Sequence, residues 1–401
     1  MNDIREGDRQ DRRATVNGGP VPDAGSSPGL IDDNLEPSFF HDPKRLLGTG
    51  LIVLVIFGVI YVLLPNVIGL EDAIAKFGEG EWEWFAVAVG FNVAAFAAYV
   101  ALFRGVIGEN LVHLDWSESY QITMAGLAAS RLLSAGGAGG VVLSYWALRK
   151  AGMNRAEAAR RMVAFLVLLY AFYVLAVIVF GVLLRSGALP GSAPFSMTVI
   201  PAAVAGGIAI AVVLIALIPG DLQRRLSVSE KNRLGRLALR LSTVPATIAT
   251  GIRTALGFLR TPGKGSLAIA GAIGFWAANI GILWASFMAF DETVPIGVLV
   301  MGFFVGMAAN LVPNPAGVGT VDGGLIAAFV IFGVPAATVI AAVLVYRLIA
   351  FWLPLPPGIL AFIQLRHTVA RWEKEGRPAI EEGEAAPAMV AVPSNTSESK
   401  V

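Results

Sequence analysis

Gly306-Met307-Ala308-Ala309-Asn310-Leu311-Val312-Pro313-Asn314-Pro315-Ala316-Gly317-Val318-Gly319-Thr320-Val321-Asp322 lies between apolar runs, the second of which holds Arg347. The flanks belong in a bilayer, yet the centre carries two prolines, two glycines, two asparagines and a carboxylate. Proline has no N–H and clashes with the preceding turn, so one continuous helix across Pro313 and Pro315 is not expected. Freed backbone groups cannot face lipid, so the break must sit inside protein or against a wet cavity. Broken helices at membrane depth recur at transporter binding sites.

The whole chain fits that setting. Its 401 residues are 56% hydrophobic and 15% charged, with a mean hydropathy of +0.69. This composition points to an all-α, polytopic membrane protein. A net charge of +1 gives no sign of nucleic-acid binding, and the absence of cysteine excludes disulfides and thiol chemistry. His41, His113 and His367 lie in or beside polar segments and read as solvated side chains rather than metal ligands. No cofactor is expected.

Residues 1–43 are polar, Gly/Pro-rich and expected to be a disordered tail. Spans are predicted at 46–64, 84–103, 162–184, 197–218, 266–290 and 336–362, each near the ~20 residues needed to cross the hydrocarbon core. No cleavable signal is expected, because the first apolar run starts only near Leu46. Residues 366–401 are expected to be a second disordered tail. The membrane domain is thus placed at 44–365.

Charge sets the orientation. Lys44 and Arg45, the 149–161 loop, the 221–264 loop and the 366–374 junction are basic and are assigned to the cytoplasm, as are both termini. The 66–83 loop has five acids against Lys76 and is assigned outside. Residues 119–148, broken by Gly136, Gly137, Gly139 and Gly140, must then enter and leave on the cytoplasmic face. Residues 294–333 must enter and leave on the outer face. The expected architecture is about six full transmembrane helices plus two oppositely oriented re-entrant hairpins.

A shift of 180 residues lays Gly126, Ala128, Ala129, Gly137, Gly139 and Val141 on Gly306, Ala308, Ala309, Gly317, Gly319 and Val321. The same shift superposes the flanking spans. It predicts an inverted repeat, with repeat 1 at about 84–185 and repeat 2 at about 264–365, a pattern that points to a binding site near the midplane. Small residues that only let helices pack closely would give part of the same signal.

Arg131, Asp322 and Arg347 are ionisable groups inside apolar segments. Each costs at least ~2.5–3.5 kcal/mol at bilayer depth and needs protein or water around it. Asp322 and Arg347 could form a structural ion pair, or the arginines could meet an anionic head group, since the guanidinium fork suits phosphate. Arg131 could instead snorkel to the cytoplasmic surface. Gly137, Gly139, Gly317 and Gly319 precede apolar helices, where they serve either a tight turn or an anion at a helix N-terminus. Asn92, Asn279, Asn310 and Asn314 are candidates for hydrogen bonds between helices, and Phe275, Trp276 and Tyr346 for packing. The run Asn232-Arg233-Leu234-Gly235-Arg236-Leu237-Ala238-Leu239-Arg240-Leu241 suits a helix on an anionic lipid surface, or a plain retention signal. Phosphate-loop, zinc-protease and nucleophile-elbow motifs are absent from the sequence, and an enzyme is not expected.

The 312–322 stretch, with Phe332-Gly333-Val334-Pro335-Ala336, Val345-Tyr346-Arg347-Leu348 and Phe351-Trp352-Leu353-Pro354, resembles the transmembrane region of lysylphosphatidylglycerol synthases and their flippase-like relatives. That family's pattern is Pro-x-Pro-Gly-Gly-x-Gly-x-x-Glu, then Gly-Val and a membrane arginine. Pro313, Pro315, Gly317, Gly319 and Arg347 match; Ala316 replaces a glycine, and Asp322 stands where glutamate is usual. The first hairpin keeps the glycines but lacks the proline. The resemblance runs from about Leu46 to Phe362. It implies handling or flipping of a lipid with an anionic or glycosylated head group, a phospholipid or a polyprenyl-phosphate-linked lipid, at the cell membrane. The aminoacyltransferase domain of the synthases is not matched. The expected head-group site comprises Arg347, Asp322, Asn310, Asn314, Gly317, Gly319, Arg131, Gly137 and Gly139. Two other readings stand beside it: a scaffold subunit of an envelope-synthesis complex, and a membrane-embedded transferase with Asp322 as base. No protein partner is identifiable from the sequence.

Overall fold

Glycine and proline punctuate the chain as the sequence suggests. The computed structural model describes residues 80–108, 114–132, 138–217, 248–258, 260, 262–311 and 319–375. The expected first span, the two tails, the 232–241 basic run, and Gly136, Gly137, Pro313, Asn314, Pro315 and Gly317 lie outside the described residues. The described elements are helical throughout: α1 Trp82–Ile107, α2 Trp116–Leu132, α3 Ala138–Lys150, α4 Arg155–Arg185 and α5 Phe195–Ala216 in the first part. After a short helical segment at 248–258 come α6 Pro262–Met288, α7 Ile296–Met307, α8 Thr320–Ile331, α9 Ala336–Arg347 and α10 Leu355–Lys374. Among the described residues, five segments are long and apolar enough to cross a membrane: Trp82–Ile107, Arg155–Arg185, Phe195–Ala216, Gly265–Met288 and Ala336–Lys374. They coincide with five of the six expected spans, and the sixth is the one outside the described residues.

Local chemistry sets the ends. Gly152 at φ 101° closes α3, and the Asn154 side chain accepts from the Glu157 N–H at 2.7 Å to start α4. Gly333 at φ 95° closes α8, and Pro335 at the N-cap starts α9. The span expected at 336–362 lies within Ala336–Lys374, which is interrupted by a π-turn at Leu348–Trp352. Pro354 follows that turn and has no N–H for the Ala350 carbonyl four residues back.

Contacts between helix ends define two faces. At one, the end of α1 meets the start of α2, where Arg104 Nη1 donates to the Leu114 carbonyl at 2.7 Å. There Arg161, near the start of α4, donates to the Val106 carbonyl at 2.7 Å. The end of α3 leads directly into α4 and also meets α10, with Lys150 Nζ 2.7 Å from Glu373 Oε1. The pair α2–α3 therefore begins and ends on this basic face. At the opposite face, Gly297 at the start of α7 lies against Leu184 and Leu189. The Ser192 hydroxyl there donates to the Phe332 carbonyl just past α8. The pair α7–α8 therefore begins and ends on the opposite face, and the two helical hairpins point toward each other.

The repeat is visible in the element order. The starts of α1 and α6, and of α2 and α7, are each 180 residues apart. Both hairpins close through glycine, Gly140 against Gly126 and Gly324 against Gly306. A Cβ on Gly140 would lie 2.4 Å from the Gly126 carbonyl oxygen, and one on Gly324 would lie 2.5 Å from that of Gly306. Small residues let the backbones approach, which is the main attraction available between helices in lipid. The long pair α1 and α6 forms the middle of the fold by the same device, with Gly271 against the Leu102 backbone. Aromatic side chains with polar handles, Trp276 buried and Tyr173 half-buried, tie the layers together. Trp276 Nε1 donates to the Leu169 carbonyl at 2.7 Å, and the Tyr173 hydroxyl donates to the Phe304 carbonyl.

Candidate functional site

The two hairpins converge on a cavity of about 290 Å³. The α2–α3 hairpin contributes Thr123, Gly126, Ser130, Arg131, Gly140 and Ser144; α7 and α8 and their junction contribute Met307, Asn310 and Val321. The remaining wall is aliphatic, aromatic and amide: Tyr99 of α1, Met162, Phe165, Leu166, Leu169 and Tyr170 of α4, Phe275, Trp276 and Asn279 of α6, then Tyr346, Arg347 and Phe351 around the π-turn. Residues from both repeats thus share one cavity that brings polar and charged groups inside an otherwise apolar bundle.

Arg131 sits in the last turn of α2. Its Nη1 donates to the Phe351 carbonyl at 2.8 Å and its Nη2 to the Ala350 carbonyl at 2.9 Å. The Ala350 carbonyl is one that the break leaves short of a donor, because Pro354 follows it at helical spacing. The guanidinium therefore heals a proline break 220 residues away. This geometry differs from the snorkelling alternative, since the side chain is directed at a broken helix and a cavity. Among the described residues no carboxylate forms an ion pair with Arg131.

Arg347 is buried, and its Nε lies 2.5 Å from Asp322 Oδ1. The other oxygen, Asp322 Oδ2, accepts from the Gly319 N–H at 2.9 Å. Gly319 holds φ 82°, a conformation that favours glycine, at the N-cap of α8. A single carboxylate thus caps α8, complements the positive end of its dipole and neutralises the arginine on α9. Both guanidiniums approach the Phe351 ring, Arg131 at 5.1 Å and Arg347 at 4.7 Å from its centroid.

Of the expected site residues, Arg131, Arg347 and Asn310 line the cavity, and Asp322 stands behind Arg347. Gly139 is buried in the first turn of α3, next to the cavity-lining Gly140, whose N–H donates to Ser130 Oγ at 3.0 Å. Gly319 is the α8 cap. Asn279 lines the cavity and also donates to the Phe275 carbonyl at 2.8 Å, whereas Asn92 is buried in α1 outside it. Gly137, Asn314 and Gly317 are outside the described residues. The sequence reading did not single out Tyr99, Ser130, Ser144 or Tyr170, and took Phe275, Trp276 and Tyr346 as packing groups. The available signal was indirect: the carbonyl left without its helical donor by Pro354 demands another, but nothing local names it.

No match was found among curated proteins. A family model for the lysylphosphatidylglycerol synthase transmembrane region matches residues 43–358, a range that contains both hairpins, the α9 arginine and the first turn of α10. With its helical bundle, paired hairpins and helix-breaking prolines, the chain belongs to the family of the lysylphosphatidylglycerol synthase transmembrane region and is a multi-pass membrane protein.

Proposed function

We propose that this protein holds the polar head of an anionic or glycosylated lipid in the cavity between the hairpins and flips that lipid between leaflets. One observation carries the reading: residues of two hairpins entering from opposite faces meet at a cavity that holds two arginines against one carboxylate. Charge inside a bilayer is costly and is retained where something must be bound or moved. A guanidinium with only carbonyl acceptors is ready for a charge-assisted bond to phosphate. The Asp322–Arg347 pair would hold the second hairpin to α9 and tune the cavity's charge. The basic face would be cytoplasmic, with both termini on that side of the cell membrane. The basic 221–264 loop would rest on anionic lipid there. A transferase reading gains little, because acid–base chemistry on a lipid-linked donor needs a free acid, and both oxygens of Asp322 are already engaged.

The test is leaflet exchange of fluorescent lipids in liposomes containing the purified protein. Wild type should speed exchange of an anionic lipid, and Arg131→Gln should abolish most of that gain while remaining folded. Exchange no faster than in protein-free vesicles, for every anionic or glycosylated lipid tried, would refute flipping and leave the scaffold reading.

A further inference from the structure

We infer that the α2–α3 hairpin and α10 form one rigid unit, hinged at Gly108, Gly152 and the Leu348–Trp352 π-turn, which rocks against the remaining helices and opens the cavity toward the basic face. The rocking unit goes beyond the head-group reading; only its link to leaflet exchange rests on that reading. Contacts along one side of α10 build the unit. Near its start, a Cβ on Gly358 would lie 2.9 Å from the Ala128 Cβ and 3.1 Å from the Met124 carbonyl oxygen, so α10 and α2 approach closely there. Further on, Thr368 Oγ1 donates to Gln121 Oε1 at 2.8 Å. At the end, the buried Trp372 donates through Nε1 to Glu118 Oε1 at 3.0 Å. Glu118 is buried too, and its other oxygen accepts from the Asp115 N–H at 3.0 Å. One carboxylate therefore both caps α2 and grips α10. Lys150 at the end of α3 completes the ring, 2.7 Å from Glu373.

The chain joins this unit to the other helices at three places, and each suits a hinge. Gly108 follows α1 at φ 75° and Gly152 follows α3 at φ 101°, conformations that favour glycine. The third is the π-turn, where Pro354 takes the helical donor from the Ala350 carbonyl. Residues at element ends that absorb a change of φ and ψ are the usual hinges of domain movements. Arg131 bonds the Ala350 and Phe351 carbonyls, which pins the hairpin tip to the hinge itself. The second hairpin has no such break behind it. Laying Gly152 on Gly333, two positive-φ glycines that each close a hairpin, places Leu348–Trp352 on 167–171. There α4 runs unbroken from Arg155 to Arg185. The α7–α8 hairpin is fastened to that continuous helix: the Tyr173 hydroxyl donates to the Phe304 carbonyl, and a Cβ on Gly181 would lie 3.5 Å from Met301 Cε. The break thus frees the hairpin of the basic face and leaves the other fixed. Ser130 and Ser144 line the cavity from the unit, and Tyr99, Tyr170 and Asn279 from the helices it rocks against. A swing of the unit separates those walls, and does so on the face where α2 begins and α3 ends.

The experiment measures distances between spin labels on the full chain, in nanodiscs of phosphatidylcholine and phosphatidylglycerol. The native chain has no cysteine, so label pairs can be placed at exposed positions. Ser117→Cys with Leu360→Cys lies within the unit, and Ser117→Cys with Gly257→Cys spans its hinges. The first pair should give one distance and the second pair two. One distance for the second pair would overturn the rocking, and two for the first would overturn the rigid unit. A short thiol cross-linker between Lys150→Cys and Glu373→Cys should leave exchange of phosphatidylglycerol in liposomes at the wild-type rate. Loss of that exchange on cross-linking would show that α10 peels away from the hairpin, and would overturn the unit. Should the protein give no exchange before cross-linking, the head-group reading falls and the two distance pairs decide the rocking by themselves.

Discussion

Asp322 performs two tasks with two oxygens, and substitutions can separate them. Asp322→Asn keeps an oxygen for the Gly319 N–H but removes the charge beside Arg347, which sits 2.5 Å away and is buried. Breaking a buried ion pair on one side costs about 3–5 kcal/mol in water-soluble proteins. In a bilayer the unfolded helices find other partners and the cost falls, so about 2–3 kcal/mol is expected here. Asp322→Ala also removes the cap, adding about 1 kcal/mol. The double variant Asp322→Leu/Arg347→Met replaces the pair with apolar groups and should recover most of the loss, since such replacements are often neutral or stabilising. The assay is the unfolding midpoint in mixed micelles of mild detergent and dodecyl sulfate, for wild type, the three variants and Arg347→Met. The expected order is wild type, then the double variant about 1 kcal/mol below it for the lost cap, then Asp322→Asn, then Asp322→Ala. Asp322→Asn within about 0.5 kcal/mol of wild type, the range of an ordinary surface change, would refute the ion-pair argument. So would a double variant no more stable than the singles.

Three further outcomes follow from the geometry. Gly140→Ala and Gly324→Ala drive a Cβ to within 2.4 and 2.5 Å of opposing carbonyl oxygens and should each cost about 1–3 kcal/mol by overpacking. Gly207→Ala, with nothing within 4 Å, should be neutral or slightly stabilising in the same mixed-micelle unfolding assay. Arg131→Lys keeps the charge but cannot span both the Ala350 and Phe351 carbonyls, so loss of one charged hydrogen bond should lower stability by about 1.5–3 kcal/mol. In leaflet-exchange assays it should also be slower than wild type, because an ammonium lacks the planar fork.

Much of this architecture is legible in residue order because the bilayer punishes exposed backbone so severely. Apolar runs of sufficient length mark five described spans, and glycine clusters mark both hairpins. The 180-residue shift, found from Gly126 and Gly306, reappears in the starts of α1 and α6. Asp322 and Arg347 announce themselves as partners, being two costly charges in neighbouring apolar segments. Less could be read where the determinant is distance through space. Arg131 and Ala350 are 219 residues apart, and only the fold brings them together. Tyr99 and Tyr170 look like ordinary aromatic residues of long helices until both border one cavity. The break at Leu348–Trp352 was written in Pro354, Pro356 and Pro357, but an apolar run that long reads first as one span.

The account stands on two hairpins entering from opposite faces, and side-specific cysteine labelling tests that most directly, since the native chain has no cysteine. Lys150→Cys at the base of the α2–α3 hairpin and Gly333→Cys at the base of the α7–α8 hairpin should react with a membrane-impermeant maleimide from opposite sides of sealed vesicles. Reaction of both positions from the same side would contradict the inverted arrangement and, with it, the cavity built from the two hairpins.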